Sequence, residues 1–483
     1  METSTNTTIL SKLAQLEKLS RQLDPNLDQR KAWREAVNTY SDDFLDNIES
    51  IKAYIVTEDK GRAIYDSPIG EAKSIEELLK VIEYNVDRPG LNPASGGHLA
   101  YIPGGGLYPA ALGDYLADIF NRYAGVFYGS PGAVRMENQL LDWLCQVMGY
   151  PTTAAGNLTS GGSIANQIAI GAARDAKKLK AADFHRSVIY TTKQVHHCVH
   201  KSLNMVGMRE AVKRFIPMDS DFRMDVSVLK TQIEADIKEG LLPFMVIASA
   251  GTTDVGAVDP LDAIADICEA SDIWFHVDGA YGGFFIMADE TKALFKGIER
   301  ADSMVVDPHK GLFLPYGTGA VLVKDGQKLF ESQHMEASYL QDAYFDTEEI
   351  SPADLSPELT KHFRGMRLWL PLQLFGVETF KAALAEKLWL TRYFYEEIQK
   401  LGFEVGPYPQ LSVMTYRFVP KSGDANEFNA WLVEEVRKDG RVFLSSTMIE
   451  GVFFLRLAVL SFRTHLSTIN TCLEILKNLT KGK

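Results

Sequence analysis

Residues 273–283 read Ile-Trp-Phe-His-Val-Asp-Gly-Ala-Tyr-Gly-Gly. A strand-length run stops at Asp278, and small residues then turn the chain. The same punctuation recurs elsewhere. Residues 304–306 (MVV) lead into Asp307-Pro308-His309-Lys310-Gly311, residues 188–192 (VIYTT) lead to His196, and residues 244–248 (FMVIA) lead to Thr252 and Thr253. Residues 320–323 (AVLV) make one more short apolar run. Runs of this length, bounded by turn residues, read as buried strands. Helical spacing fills several of the gaps, as at 164–173 and at 261–270 behind Pro260. The alternation predicts an α/β fold, a mostly parallel central sheet with helices on both faces. In such a sheet ligands bind beyond the carboxyl ends of the strands. The expectation is one crevice gathering His196, Thr252, Thr253, Asp278, His309 and Lys310.

The chain has 483 residues, 46% hydrophobic and 23% charged, an ordinary globular balance. Its formal charge of −13 would be repelled by a phosphate backbone, which argues against a general nucleic-acid or acidic-membrane binder. The longest apolar stretches, 241–250 and 452–462, are too short to span a bilayer, and the second contains Arg456. The opening METSTNTTIL lacks the basic start and apolar stretch of a secretory signal. Cys145, Cys198, Cys268 and Cys472 form no CxxC pair, so neither a disulfide framework nor a zinc ribbon is indicated. A cytoplasmic protein without membrane or nucleic-acid partners is expected. Ile9, Leu10, Leu13, Leu16, Leu19 and Leu23 form an apolar stripe at helical spacing, to be buried on the chain's own core or on a partner subunit. From about residue 370 the pattern changes to a helix followed by short strands and helices. The expected divisions are an N-terminal helical segment at 1–107, a large domain at 108–369 and a small C-terminal α+β domain at 370–483.

Several residues carry chemistry. Thr159-Ser160-Gly161-Gly162-Ser163 precedes a helical run, and free N–H groups at a helix start favour an anion such as phosphate. Residues 104–106 (GGG) read as a loop bordering a pocket, because Pro109 stands where a dinucleotide fingerprint needs its last glycine. Asp278, taken alone, reads as a helix cap or a magnesium ligand as readily as the partner of a pyridine nitrogen. Lys310 would be a surface lysine by default, but it lies between an apolar strand and a glycine-rich turn. Desolvation there is expected to lower its pKa and let it form an imine with an aldehyde. His196 and His200 have the four-residue spacing of a zinc site, yet His197 occupies the place of the needed Glu and no third ligand is apparent, so no metal is expected.

Together these segments resemble the group II pyridoxal-phosphate decarboxylases, the family of aromatic amino acid and glutamate decarboxylases. The carrying motifs are TSGGSIAN (159–166), QVHHCVHKS (194–202), GTTDVGAVDP (251–260), HVDGAYGG (276–283) and DPHKG (307–311), with AYIPGGGLYP (100–109) and SPGAVRMENQLLDWL (130–144) upstream. ASYLQD (337–342), HFRGMRLW (362–369) and LRLAVLSFRT (455–464) follow downstream. The resemblance runs from about residue 95 to the end. It implies a fold type I, aspartate-aminotransferase-like α/β enzyme, built as a homodimer with a shared active site. The implied cofactor is pyridoxal 5'-phosphate, held as an imine on Lys310, with Asp278 on its pyridinium nitrogen. His196 would stack on one face of the ring and Ala280 on the other. Gly162, Ser163 and His309 would surround the phosphate, and Thr253 would lie near the substrate carboxylate. Tyr101, Ile102 and Pro103 would contact the substrate, and Tyr339 would protonate the carbanion left when carbon dioxide departs from the quinonoid intermediate.

The implied reaction is decarboxylation of an L-amino acid to an amine, with an aromatic substrate ahead of an acidic one. Aldehyde synthesis, transamination and carbon–carbon cleavage on the same cofactor are the alternatives, and a silent scaffold is the remote one. Tyr339 and His196 are retained where aldehyde-forming relatives carry phenylalanine or asparagine, which favours simple decarboxylation. Ile102, the glycines at 104–106, Gly125 and Gly311 depart from the common aromatic pattern, and the expectation is that they enlarge or reshape the site. Arg122 and Arg135 are expected to form surface ion pairs rather than to bind a side-chain carboxylate.

Overall fold

The structure is a computed structural model that describes residues 2–335 and 348–483, with side chains from residue 8. Contacts divide the chain into two compact units, Met1–Asn92 and Pro93–Lys483. In the first unit, α1 (Glu2–Ser20), α2 (Leu27–Asp46) and α3 (Ile75–Ile82) accompany an antiparallel pair, β1 (Tyr54–Ile55) and β2 (Gly90–Leu91). Reciprocal side-chain and backbone bonds at Asn26 with Gln29, and at Ser74 with Glu77, close the starts of α2 and α3. The apolar stripe on α1 stays in solvent within a single chain, with Leu13 54% and Leu16 50% exposed.

The second unit begins with α4 (Tyr108–Phe120) and α5 (Pro131–Val147), then alternates β3 (Ala155–Thr159), α6 (Gly162–Ala176), β4 (Ser187–Thr191), α7 (Cys198–Met205), β5 (Val212–Phe215), α8 (Val226–Lys238), β6 (Leu242–Ser249), α9 (Leu261–Ala270), β7 (Trp274–Asp278), β8 (Ser303–Val306), α10 (Pro308–Gly311), β9 (Gly319–Val323) and α11 (Gly326–Gln333). The strands form one seven-stranded sheet in the order β3-β9-β8-β7-β6-β4-β5. Pairing is parallel from β8 through β7, β6 and β4 to β5, and antiparallel where β9 meets β8 and β3. Successive side chains leave a strand on opposite faces, and the core follows that rule. Val246 and Ala248 of β6 join Phe275, Val277, Met304 and Val306 on the face covered by α5, α8 and α9. Met245 and Ile247 join Trp274, Val305 and Val321 on the face covered by α6, α7 and α11. With helices on both sides, the sheet leaves its carboxyl edge as the open place for a ligand.

A second, antiparallel sheet has the order β10-β11-β13-β12, from β10 (Phe403–Val405), β11 (Val413–Phe418), β12 (Ser445–Ile449) and β13 (Val452–Ala458). It packs on α13 (Ala425–Asp439), α14 (Leu466–Thr480) and the later part of α12 (Gly365–Lys400), which is broken at Gly376. Two expected boundaries differ from this architecture. Residues 93–107 go with the second unit, because the Leu99 and Leu107 N–H groups donate to the Phe443 and Phe313 carbonyls, and the Gly105 N–H to Leu314. The expected division at 369/370 falls inside α12. Among the described residues, no helix is long and apolar enough to cross a membrane.

Candidate active site

A cavity of ≈ 350 Å³ opens at the carboxyl edge of the large sheet. Its wall takes Ser160–Ser163 from the β3–α6 turn, Gln194, His196 and Cys198 from the segment after β4, and Ser249 and 251–253 from the end of β6. Asp278, Ala280 and Tyr281 follow β7, and Asp307, His309 and Lys310 follow β8. The eight residues expected around the cofactor, Gly162, Ser163, His196, Thr253, Asp278, Ala280, His309 and Lys310, therefore face one space. Tyr101, Ile102 and Pro103 do not line it. Tyr101 is held at φ 53° with its ring exposed, a backbone state that costs a non-glycine residue about 1–3 kcal/mol. Tyr339 lies outside the described residues.

Lys310 stands on α10 with its Nζ 3.0 Å from Asp307 Oδ2. Burial drives the Lys310 ammonium down, but the Asp307 carboxylate at contact distance, with Asp278 beyond it, carries it above the ordinary lysine value. The expected lowering is thus reversed, because a buried acid sits three residues before the lysine. His309 meets the Thr318 carbonyl through its ring Nδ1 at 2.7 Å. A carbonyl only accepts, so Nδ1 carries the proton. Burial pushes His309 down, and it does the same to His196, whose Nδ1 accepts from the Cys198 N–H at 3.4 Å. His200 turns its ring edge towards Phe215 and is not part of the cavity wall.

Asp278 is fixed by a chain of hydrogen bonds inside the core. The Trp274 indole, a donor only, gives its proton to Ser303 Oγ at 2.8 Å. The Ser303 hydroxyl can then serve His276 Nδ1 at 2.8 Å, leaving the Nε2–H for Asn166 Oδ1 at 2.9 Å. That turns the Asn166 amide N–H towards Asp278 Oδ2 at 3.4 Å, while the Ala280 N–H reaches Oδ1 at 3.1 Å. Burial pushes His276 down to about 4, which keeps the ring neutral as this chain requires. Trp274, His276 and Asp278 alternate along β7 and so share one face. Across the cavity rim, Arg456 of β13 donates to the carbonyls of Thr253 and Asp254 and to Ser445 Oγ, pinning the turn that carries Thr253.

Pyridoxal phosphate asks a protein for an amine, an acid for its ring nitrogen and donors for its phosphate. The residues present fit. Lys310 would supply the amine and Asp278 the acid. The start of α6 has no side-chain cap of its own, and Gly161 there has φ 149°. A Cβ on Gly162 would lie 3.0 Å from Asp307 Oδ2 and 3.3 Å from Ala280 Cβ, filling the cradle. Gln194 Oε1 and Asp307 Oδ1 are buried without a hydrogen-bond partner at the same wall.

Of the two expectations for these positions, enlargement or reshaping, the structure does not have the enlargement. A Cβ on Gly105 would come 2.2 Å from the Phe313 carbonyl oxygen, on Gly125 2.3 Å from that of Leu359, and on Gly311 2.8 Å from Phe284 Cβ. One on Gly104 would come 3.0 Å from the Tyr316 ring. The chain's own backbone and rings occupy the room those side chains would take. Only Gly106 of this set has no neighbour within 4 Å. Arg135 pairs with Glu348 and Glu349 at 2.6 and 2.8 Å.

A family profile described as "Pyridoxal-dependent decarboxylase conserved domain" matches residues 67–418. An aromatic-L-amino-acid decarboxylase of Bacillus atrophaeus is 35% identical over 395 residues, covering 80% of this chain and 82% of its own length. A phenylacetaldehyde synthase of Petunia hybrida is 28% identical over 463 residues, covering 90% and 91%. The crystal structure of Oryza sativa TDC with PLP and tryptamine superposes with a TM-score of 0.89 at 27% identity, over 95% of this chain and 98% of that one. The family match spans every strand of the large sheet and every wall of its cavity, and the chain belongs to the pyridoxal-dependent decarboxylase family, a pyridoxal-phosphate-dependent lyase that removes carbon dioxide from amino acids.

Proposed function

We propose that this enzyme is a cytoplasmic homodimer that converts an aromatic L-amino acid to its amine. The observation that carries the reading is the convergence of Lys310, Asp278 and the Gly161–Gly162 cradle on one cavity. Bound there, pyridoxal phosphate supplies an aldehyde for the substrate amine and a protonated ring that accepts the electron pair freed as carbon dioxide leaves. Lys310 is the residue whose amine would hold that aldehyde and give it up to the substrate's amine. Asp278, held as an acceptor by Asn166 and the Ala280 N–H, would keep a proton on the ring nitrogen. Gly162 and Ser163 offer their N–H groups to the phosphate, with His309 beside them. His196 would cover one face of the ring and Ala280 the other, and Thr253 would lie near the substrate carboxylate. Tyr101, Ile102 and Pro103, which stand outside the cavity wall of a single chain, would contact the substrate, and Tyr339 would hand a proton to its α-carbon. The role of His309, and those from His196 onward, rest on the family resemblance.

The aromatic preference is supported by what the Bacillus relative is called and by the tryptamine in the rice structure. A second reading, aldehyde formation, has the Petunia relative in its favour. The dimer is supported by uncovered apolar faces: the α1 stripe, and on α4 the row Tyr108, Leu112, Tyr115 and Ile119. The four cysteines are free and buried, as suits a reducing compartment. The test is product analysis of the cofactor-loaded protein on a panel of L-amino acids, scoring carbon dioxide, amine, aldehyde and ammonia. Amine equal to carbon dioxide on aromatic substrates supports the proposal. Aldehyde with ammonia would move the protein to the second reading, and turnover confined to acidic substrates would overturn the preference. Sedimentation velocity checks the assembly, and Leu13→Glu with Leu16→Glu should shift it towards monomer.

A further inference from the structure

Asp307 directly follows β8, with its side chain 1% exposed. It cannot turn away: a Cβ on Gly319 would come 2.5 Å from Oδ1 and one on Gly162 3.0 Å from Oδ2, so both backbones close on the carboxylate. It does not cap α10, and Oδ1 has no hydrogen-bond partner. A buried carboxylate without a cation is strongly destabilising, and the cation within reach is the Lys310 ammonium at 3.0 Å.

The other groups facing Lys310 do not take that place. Asp278, from β7, is engaged by Asn166 and the Ala280 N–H. Cys198, from α7, is pushed up to about 12 by burial and is neutral. His196 and His309 are pushed down by burial and are neutral too. Among the described residues, Asp307 is the one acid within ion-pair distance of Lys310.

Resting on the reading of Lys310 as the residue that bonds to the cofactor, we propose that Asp307 is a positioning residue that holds Lys310 as an ammonium in the cofactor-free protein. It thereby sets the pH at which the lysine can capture an aldehyde. Only the neutral amine has the electron pair for the new C=N bond. The ammonium first releases a proton to water, the nitrogen then attacks the carbonyl carbon, and the carbonyl oxygen leaves as water. The ion pair with Asp307 makes the first of these events harder and moves it to higher pH. The aldehyde-binding lysine is thereby protected from other carbonyl compounds near neutral pH.

The test uses the full-length protein stripped of cofactor. Trace acetylation with acetic anhydride across pH, read by mass spectrometry on the Lys310 peptide, gives the midpoint at which the amine becomes free. The rate of capture of added pyridoxal 5'-phosphate is followed in parallel by absorbance. Asp307→Asn should lower both midpoints by about one pH unit or more, tenfold in proton affinity, and Asp307→Glu should restore them. Equal midpoints in the wild type and Asp307→Asn overturn the proposal. So does a wild-type Lys310 midpoint below the ordinary lysine value of about 10.4, a measurement that needs no variant. If added pyridoxal phosphate gives no Lys310-bound absorbance at any pH in the wild type, the reading of Lys310 itself falls, and this inference with it.

Discussion

Replacing Lys310 by Ala removes the amine that faces the cavity and leaves Asp307 buried without its cation. Turnover should be abolished, and cofactor should no longer stay bound through gel filtration. Retained full activity, measured as carbon dioxide release, would remove Lys310 from the chemistry. Tyr339→Phe takes away a phenolic proton and should move product from amine towards aldehyde. The readout is the ratio of amine to carbon dioxide, and an unchanged ratio at an unchanged rate would exclude Tyr339 as the donor. Asp278 and Lys310 are legible in the sequence as members of a set: each alone has a bland reading, but both fall at the carboxyl ends of apolar runs, where an open sheet gathers its ligand contacts. Asp307 belongs to the same motif, but spacing does not tell whether an acid before Pro308 caps the helix or turns inward. Asn166 and His276 are 110 positions apart, and their hydrogen bond exists only once α6 lies across β7.

The β3–α6 turn shows how an element makes a site. Five residues of β3 pair in register with β9, from Ala155 on Val323 to Thr159 on Gly319, and deliver the glycines to the sheet edge. Gly162→Ala adds one methyl group within 3.0 Å of Asp307 Oδ2. The helix itself should gain from alanine, so the fold should persist while pyridoxal phosphate affinity falls about tenfold or more, an estimate based on about 1.4 kcal/mol for one misplaced contact. An absorbance titration checks this, and wild-type affinity would mean that the phosphate sits elsewhere. The strands at 188–192, 244–248, 273–277, 304–306 and 320–323 are legible to within a residue or two because they are dominated by apolar, β-branched and aromatic residues. By contrast, β3 (AGNLT) and β5 (VKRF) carry no such signal. Ala, Gly and Asn have low strand propensity, and β5 carries two cations on a partly exposed edge strand. Tertiary pairing, which the sequence does not display locally, makes both of them strands.

For the molecule as a whole, the parallel sheet and the crevice at its carboxyl edge follow from alternation alone, whereas the unit boundary at residue 92 does not. It depends on backbone bonds from residues 97–107 to partners more than 200 positions away. Burying that much chain also buries titratable groups, and this gives the fold a pH dependence. Burial pushes His98 and His276 from 6.5 down to about 4. As pH falls below 6.5 the unfolded chain takes up protons at both positions while the folded chain refuses them until about 4. Stability contributed by these rings is therefore complete above pH 6.5 and is lost on the way down to 4. Asp259 opposes them: burial raises it from 3.8 to about 6, so it stabilises the fold at low pH and loses that contribution as pH rises through 6. At about 1.4 kcal/mol per pH unit, the two histidines together outweigh the single acid and leave a net loss of roughly 4 kcal/mol on acidification. Urea denaturation at fixed protein concentration should accordingly show a lower midpoint at about pH 4.5 than at about pH 7.5. A midpoint that stays constant or rises on acidification would mean that at least one of the two rings takes up its proton in the folded protein near neutral pH.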